Sequence, residues 1–359
     1  MPALLKDCTA TDLQAALAPL GVSLRLARRL QAAVVRGDGF PASLPEVSPG
    51  LLDRIRREVR LPRLATQGRR VSPRDGFAKY VFTGDGPESF EAVRIPLTHR
   101  AGQEKYVVCV SSQAGCALGC AFCATGRMGF ARDLAAWEMV DQVVRIRADS
   151  AHPVRGVVFM GMGEPLLNYD AVVRAARILS EPCGGAIAAK AISVSTAGVV
   201  PGIRRFTADR LPFRLVVSLT SADPARRREV MPVARAHPLP ELMAAIREYH
   251  AATGQRVTLA WTMIAGFNTR KEDAIQLAAL VGDMPVMLDL IDVNDPTGRF
   301  QPPSAEQLGA FRDALRRHLR QPVARRYSGG ADIHAACGML AEHPSGDVRG
   351  WPGREGIDI

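Results

Sequence analysis

The chain has 359 residues, of which 47% are hydrophobic, so it can bury a full core and is expected to form one large domain with at most a small appendage. Its net charge of +10 favours a polyanionic partner such as a nucleic acid, although arginine runs such as residues 226–228 are interpreted as solvated faces. Seven cysteines, an odd number, suit a reducing compartment better than a disulfide framework. No apolar run approaches the roughly 18 residues that span a bilayer, and residues 1–13 lack the apolar core of a signal peptide, so a cytoplasmic protein with no membrane contact is expected.

The first 60 residues are predicted to be mainly helical. Thr11 is expected to cap a first helix, residues 25–35 form a second that ends at Gly37, and Ser48 opens a third before Pro49. The polar run over residues 66–74 is interpreted as a linker.

A β-hairpin is predicted next. Residues 79–82 and 90–95 are rich in strand-forming side chains, and the turn sequence Gly84-Asp85-Gly86 lies between them.

From about residue 105 the pattern alternates between apolar strands and helices. The predicted strands are residues 107–110, 157–160, 192–194, 215–219, 257–263 and 287–291, and the predicted helices include 135–147, 169–180, 239–250 and 271–281. Near-continuous apolar strands separated by helices indicate a parallel sheet buried on both faces. The predicted fold class is therefore α/β, a partial barrel of six β/α units that places its chemistry at the carboxyl ends of the strands.

Three cysteines follow the first of these strands. Cys116, Cys120 and Cys123 lie four and three positions apart without a fourth cysteine close by, which is typical of a cluster in which the protein holds three irons and the fourth stays open to a small molecule. The ferredoxin run differs, with a fourth Cys followed by Pro. A tetrahedral zinc site is the alternative, and it would need a distant fourth ligand such as His99 or Cys109.

A glycine-rich turn follows the second strand. Gly161-Met-Gly-Glu-Pro can bring backbone close to a ligand, and Glu164 offers a carboxylate to an amine. The turn lacks the third glycine and the immediate helix of a dinucleotide fingerprint. Together with the cysteines at the preceding strand end, it favours a bound cofactor with an amino group over a plain turn with a solvated glutamate.

Two further cysteines stand out by position. Cys109 ends the strand that leads to Cys116, and Cys337 lies in a polar, glycine-flanked loop. Cys8 and Cys183 are interpreted as small buried hydrophobic side chains.

These segments together resemble the RlmN/Cfr family of radical S-adenosylmethionine (SAM) RNA methyltransferases. The resemblance spans about residues 72–345, and its anchors are residues 109–123, 160–168, 195–202 and 332–338. It implies a division of the chain into an N-terminal helical RNA-binding accessory domain (1–70), a hairpin and linker (71–98), a radical SAM core (99–345) and a tail (346–359).

The resemblance also implies the cofactors and partners. Cys116, Cys120 and Cys123 would hold a [4Fe-4S] cluster whose open iron binds SAM. The implied SAM-binding residues are Gly163, Glu164, Ser195, Ser218, Thr220 and Asn294. The implied partners are large-subunit rRNA, tRNA as a second substrate, and an electron donor such as flavodoxin; a monomer is expected because RNA must reach a deep site.

The implied mechanism uses three more residues. One SAM methylates Cys337, and a second is cleaved to a 5′-deoxyadenosyl radical that takes hydrogen from the new S-methyl group. The carbon radical then adds to a ring carbon of adenine, most simply carbon 2, and Glu91 removes the ring proton. Cys109 finally forms a disulfide with Cys337 and releases the methylated base.

Three positions depart from the family pattern. Thr220 replaces a histidine, Asp292 replaces a proline and Met339 replaces a glutamine. The assigned ligand and catalytic positions all remain. The departures keep open a paralogue that methylates carbon 8 or another RNA. A non-catalytic iron–sulfur RNA-binding protein is a further alternative, and the presence of Glu91, Cys109 and Cys337 argues against it.

Overall fold

The computed structural model describes residues 2–97 and 102–341. The tail predicted over residues 346–359 and the candidate zinc ligand His99 lie outside the described residues. Among the described residues, no helix combines the length and apolar character needed to cross a membrane.

Short elements build the N-terminal region. They are β1 (Ala3–Leu4), α1 (Ala10–Ala16), α2 (Leu24–Gly37), α3 (Pro49–Glu58) and β2 (Val59–Arg60). The side chain of Ser48 caps α3 as predicted, accepting from the Leu51 N–H. The cap predicted for the first helix is wrong, because Thr9 and not Thr11 accepts from the N–H of Asp12, whose carboxylate completes a capping box.

Three antiparallel strands follow: β3 (Ala65–Val71), β4 (Ala78–Thr83) and β5 (Ser89–Leu97). The predicted hairpin is confirmed as β4 and β5. The predicted linker is wrong over residues 66–71, which belong to β3. This strand is the edge of its sheet, so its side chains need not be apolar, and a search for hydrophobic alternation passes over it.

The remainder of the chain alternates strands with helices. The strands are β6 (Lys105–Cys109), β7 (Gln113–Gly115), β8 (Phe130–Asp133), β9 (Val154–Phe159), β10 (Ile192–Thr196), β11 (Arg214–Ser218), β12 (Val257–Met263), β13 (Val286–Asp292) and β14 (Val323–Arg326). The helices are α4 (Ala124–Met128), α5 (Ala136–Ala148), α6 (Tyr169–Ser180), α7 (Val200–Ala208), α8 (Pro224–Val230), α9 (Val233–Ala236), α10 (Leu239–Thr253), α11 (Lys271–Val281) and α12 (Ala305–His318).

One ten-stranded sheet organises the molecule, in the order β14-β13-β12-β11-β10-β9-β6-β5-β4-β3. Its strands are parallel from β6 to β14 and antiparallel from β6 to β3. The α/β fold with a parallel, barrel-type core is confirmed, and β14 adds a parallel strand that was not predicted because its sequence, Val-Ala-Arg-Arg, is short and half charged. All parallel strands end at one edge of the sheet, where their carboxyl-terminal residues meet.

The two ends of this sheet are joined by hydrogen bonds between residues that are far apart in the sequence. Between β3 and β4, the carboxylate of Asp75 accepts hydrogen bonds from the Gly330 N–H (2.8 Å) and the Tyr327 hydroxyl (2.9 Å). In the same turn, the Ser72 hydroxyl donates to Asp332 (3.1 Å). The loop after β14, which carries Cys337, is therefore held from the far end of the sheet.

The N-terminal region is fixed to the core by a buried charge cluster. Lys6 is fully buried and forms salt bridges with Asp38 at the end of α2 and with Asp141 on α5. The second oxygen of Asp141 accepts from the Leu64 N–H (2.7 Å), just before β3. A buried ion pair of this kind needs further hydrogen bonds to offset its desolvation. Asp141 accepts from Lys6 with one oxygen and from the Leu64 N–H with the other.

Candidate active site

A cavity of about 1040 Å³, counting its open mouth, lies at the carboxyl ends of the parallel strands. Nine of the twelve residues predicted to form the site line it: Cys116, Cys120, Cys123, Gly163, Glu164, Ser195, Ser218, Asn294 and Cys337. Glu91, Cys109 and Thr220 are buried and are not part of its lining.

The three clustered cysteines are placed by tight turns. Gly115 has a φ of +78°, and a Cβ there would lie 2.0 Å from the Gly129 carbonyl oxygen, so only glycine fits between the two chain segments. The Cys116 N–H then donates to that same carbonyl (2.8 Å). The chain reverses again at Gly119, with φ +62°, and the Cys123 N–H donates to the Cys120 carbonyl (3.0 Å).

The electrostatics of these thiols suits metal binding. Burial raises the pKa of Cys116 to about 12, and burial and then the neighbouring thiols raise the pKa of Cys120 well above its usual value. Such thiols ionise only when a strong positive partner compensates the charge, and a coordinated metal does this. No three His, Cys, Asp or Glu side chains within residues 2–97 and 102–341 form a group that could hold one metal ion. Three thiols that line one cavity suit a cluster in which the protein holds three irons, whereas a tetrahedral zinc site needs four ligands.

Arg227, expected on a solvated face, is instead fully buried beneath this site. Its guanidinium donates to three backbone carbonyls at the strand ends, those of Ala197, Ser218 (2.9 Å) and Leu219. Burial lowers its pKa to about 10, with Cys120 acting in the opposite direction, so the group is positively charged at neutral pH. Periodicity alone could not reveal this, because only one residue of the Arg226–Arg228 run points inward.

Glu164 is the buried acid of the cavity. Its carboxylate accepts from the backbone N–H groups of Ala197 (2.7 Å) and Leu166 (3.0 Å). Burial raises its pKa to about 7 in spite of these hydrogen bonds. A cation placed beside it would favour the ionised form, which fits the predicted contact with an amino group.

The glycine-rich turn is shaped by its packing on the loop after β6. A Cβ on Gly163, whose φ is +99°, would lie 2.6 Å from Cβ of Gln113, and the Gln113 side chain accepts from the Glu164 N–H (2.8 Å). The Ser111 hydroxyl accepts from the Met162 N–H (2.7 Å). Ser111 and Gln113 are therefore positioning residues that the sequence analysis missed, although both stand in the segment between Cys109 and Cys116.

Of the polar residues predicted at the ends of β10 and β11, two line the cavity and one does not. Ser195 on β10 and Ser218 on β11 line it. Thr220, although predicted to bind SAM, is completely buried in a left-handed conformation (φ +59°) outside the cavity lining. Its carbonyl accepts from the Asn268 side chain, and its hydroxyl has no hydrogen-bond partner among the described residues.

Asn294 holds the loop that carries Cys337. Its side-chain amide donates to the Ser328 hydroxyl (3.0 Å) and to the Cys337 carbonyl (3.4 Å). The Cys337 N–H also donates to Ser328 (3.0 Å). The Cys337 thiol is exposed at the cavity, whereas Asp292, which replaces the usual proline, forms a salt bridge with Arg325 (2.6 Å) nearby.

Cys109 lies buried close to Cys337. Burial, followed by the nearby Cys337 thiol, raises the pKa of Cys109, while Arg326 acts to lower it. Both thiols are free in this structure. Cys109 pairs directly with Val93 on β5, so its side chain lies on the same face of the sheet as that of Glu91, two residues from Val93. Glu91 forms a buried salt bridge with Lys79 on β4 (3.0 Å).

The chain is similar to several known proteins. The Radical SAM superfamily model matches residues 110–278. A probable RNA methyltransferase of Myxococcus xanthus is 49% identical over 94% of each chain. A probable dual-specificity RNA methyltransferase RlmN of Heliobacterium modesticaldum is 40% identical over 85% of this chain and 80% of its own. The crystal structure of a radical SAM methyltransferase from Sphaerobacter thermophilus has a TM-score of 0.84 and 36% identity, and the match covers 94% of this chain and 99% of that one.

These relatives exceed 30% identity and cover well over two thirds of this chain. The chain therefore belongs to the RlmN/Cfr family of radical SAM RNA methyltransferases.

Proposed function

We propose that this enzyme methylates a ring carbon of adenine, in the first instance carbon 2, in large-subunit rRNA and also in tRNA, with Cys337 as the methyl carrier. The observation that carries the proposal is the pairing of an exposed thiol, Cys337, with a buried thiol, Cys109, beside the cavity that contains the three clustered cysteines.

The cavity residues divide between two cofactors. Cys116, Cys120 and Cys123 would hold a [4Fe-4S] cluster, and the strand-end group Gly163, Glu164, Ser195 and Ser218 would hold SAM. When bound, these cofactors supply a methyl group and the radical chemistry that an electron-poor aromatic C–H bond requires.

Asn294 and Thr220 are assigned differently from the first expectation. Asn294 lines the cavity, but its amide nitrogen is engaged by the Cys337 loop, so its oxygen is the atom left to face SAM. Thr220 lies behind the cavity wall, where it supports the end of β11 through its carbonyl.

Three side chains of the protein then carry the methyl group, remove the ring proton and release the methylated RNA. The Cys337 thiol accepts a methyl group and presents its carbon to the adenine ring. Glu91, as a carboxylate, takes the proton from the ring carbon. The Cys109 thiolate attacks the Cys337 sulfur and a disulfide forms. The bond between that sulfur and the RNA-bound carbon breaks, and the carbon leaves with the electron pair and takes up a proton to become the methyl group.

We further propose that the N-terminal region over residues 1–70 contacts RNA. Its charged surface is dominated by arginines, including Arg25, Arg54, Arg56, Arg57 and Arg63, and phosphate contacts supply most of the affinity of such surfaces.

A second candidate keeps the chemistry and changes the target to carbon 8 or to another RNA. The salt bridge between Asp292 and Arg325 favours it, because the substitution of proline by aspartate alters the cavity edge next to Asn294.

The test is an anaerobic reaction of reconstituted enzyme with reductant, SAM that carries a CD₃ methyl, and either large-subunit rRNA or tRNA. Digestion followed by mass spectrometry should reveal methyladenosine with two deuterium atoms instead of three, because one is lost to the radical. Chromatography against standards then separates carbon 2 from carbon 8. A product with three deuterium atoms would contradict the route through Cys337, and SAM cleavage without any labelled nucleoside would contradict both RNA substrates.

A further inference from the structure

Tyr327 is unusually exposed for an aromatic side chain. Its accessibility is 74%, whereas the other exposed large hydrophobic residues of the described ranges, Val71, Ile275 and Leu167, reach 43%, 42% and 41%. A single exposed apolar side chain needs no explanation in itself. Tyr327 differs because it is also held in one position.

Two contacts fix the ring, and a glycine leaves room for it. The hydroxyl donates to Asp75 (2.9 Å), and the ring meets Phe77 in an edge arrangement, with centroids 6.1 Å apart and planes at 73°. A Cβ at Gly329 would lie 2.6 Å from the Tyr327 ring, so glycine is needed beside it. The protein therefore restricts a side chain that it does not bury, and this restriction has a cost in side-chain entropy.

Tyr327 lies in the chain between residues that line or brace the active-site cavity. Arg326, the residue before it, lines the cavity, and the Ser328 hydroxyl after it accepts from the Cys337 N–H (3.0 Å). Tyr327 is thus part of the same short segment that places the methyl-carrying thiol.

Charged groups of both signs lie near the exposed ring. Asp75, Asp332 and Arg74 all lie close enough to act electrostatically on the Tyr327 hydroxyl, and two further arginines precede Tyr327 in the chain. The side chains of Arg325 and Arg326 are 48% and 41% exposed, and each is oriented by an aspartate. An aromatic face with flanking arginines is the usual combination for holding unpaired nucleotides, because bases stack on the ring and phosphates meet the cations.

We propose that Tyr327 is a stacking platform for an unpaired RNA base that neighbours the target adenine. The inference rests on the proposed function, since it assumes that RNA enters this cavity. The platform determines how RNA is held during the reaction and takes no part in the chemistry at Cys337. Asp75 is its positioning residue, because its carboxylate fixes the ring.

The kinetic test uses reconstituted enzyme with large-subunit rRNA transcript. Tyr327→Ala should raise the KM for RNA by about 5- to 150-fold, which corresponds to the loss of one base–aromatic stack. Tyr327→Phe keeps the ring and should show a smaller rise. Methylation of Cys337 in the absence of RNA, measured by mass spectrometry of the protein, should stay at the wild-type rate in both. Ile275→Ala, an exposed position on α11, is the matched control and should change neither quantity.

A fluorescence measurement separates stacking from structural support. The indole introduced by Tyr327→Trp should be quenched when RNA is added, measured as the difference from wild type, whereas that from Ile275→Trp should not. An unchanged KM in Tyr327→Ala, or loss of Cys337 methylation in that variant, would overturn the proposal. If the wild-type enzyme methylates no RNA, the proposed function fails, and the quenching result then decides independently whether Tyr327 stacks on bases.

Discussion

Glu91 and Lys79 form an ion pair between neighbouring strands, with the carboxylate oxygen and the ammonium nitrogen 3.0 Å apart and side-chain exposures of only 3% and 2%. The pair lies on the face of the sheet that also carries Cys109. A charge this deep is tolerated because each group compensates the other, and removal of one leaves the second without compensation.

The first prediction concerns the stability of this pair. Lys79→Met should lower the free energy of unfolding by about 3–5 kcal/mol, because Glu91 would remain as a buried charge. Urea denaturation of the apoprotein measures the change. Arg205→Met, which breaks an exposed salt bridge with Asp170, is the matched control and should have little effect. Equal losses in the two variants would contradict the role of burial.

The second prediction concerns Glu91 as the proton acceptor. Glu91→Gln should reduce the rate of RNA methylation by about 10²–10⁴-fold, since the amide cannot take the ring proton. Methylation of Cys337 precedes that step and should continue, which intact-protein mass spectrometry can follow. RNA methylation at the wild-type rate would remove Glu91 from the mechanism.

The third prediction separates the roles proposed for Cys109 and Cys337. Cys109→Ala should leave enzyme covalently attached to RNA through Cys337, because the release step lacks its nucleophile. Denaturing gel electrophoresis with labelled RNA detects the adduct. Cys183→Ala is the matched control. It removes a half-buried cysteine that is hydrogen-bonded to Gln31, and this variant should release RNA normally.

Cys337→Ala supplies the complementary result. It should abolish RNA methylation while the iron content stays unchanged, since this thiol is not among the three assigned to the cluster. Retained turnover in this variant would be incompatible with Cys337 as the methyl carrier.

The fourth prediction uses the pKa of Glu164. Burial raises that pKa to about 7, so the carboxyl is ionised above this pH and protonated below it. If the ionised form holds the SAM amino group, the Kd for SAM should rise by up to about tenfold for each pH unit below 7. Equilibrium dialysis with labelled SAM under anaerobic conditions measures this. Glu164→Gln should bind SAM more weakly and without that pH dependence, and a parallel slope in both proteins would assign the titration to another group.

The fifth prediction concerns Arg227. Its buried positive charge next to Cys120 should stabilise the reduced, more negative form of a bound cluster. Arg227→Gln should therefore shift the cluster reduction potential to a more negative value, as followed by spectroscopically monitored redox titration. Arg228→Gln, at the exposed neighbouring position, should leave the potential unchanged. Iron content and circular dichroism verify that each variant is folded and loaded.

The alternation of strands and helices was readable from the sequence. Six apolar runs and four helical segments correspond to elements of the structure because each is defined by side chains close together in the chain. The cysteine spacing at 116, 120 and 123 and the acid at 164 were readable for the same reason. In a parallel sheet the ends of successive strands converge, so local motifs at those ends predict one shared cavity.

Only the tertiary structure decided the remaining features. The edge strands β3 and β14 carry polar residues, so their own sequences show no apolar periodicity. They form because each pairs with a neighbouring strand. Arg227 was interpreted as a surface charge, and its burial depends on carbonyl groups at the ends of neighbouring strands. Asp75 and Tyr327 are 252 positions apart, and their hydrogen bond exists because the fold brings the two ends of the sheet together. Contacts of this kind depend on long-range topology, which local sequence patterns do not encode.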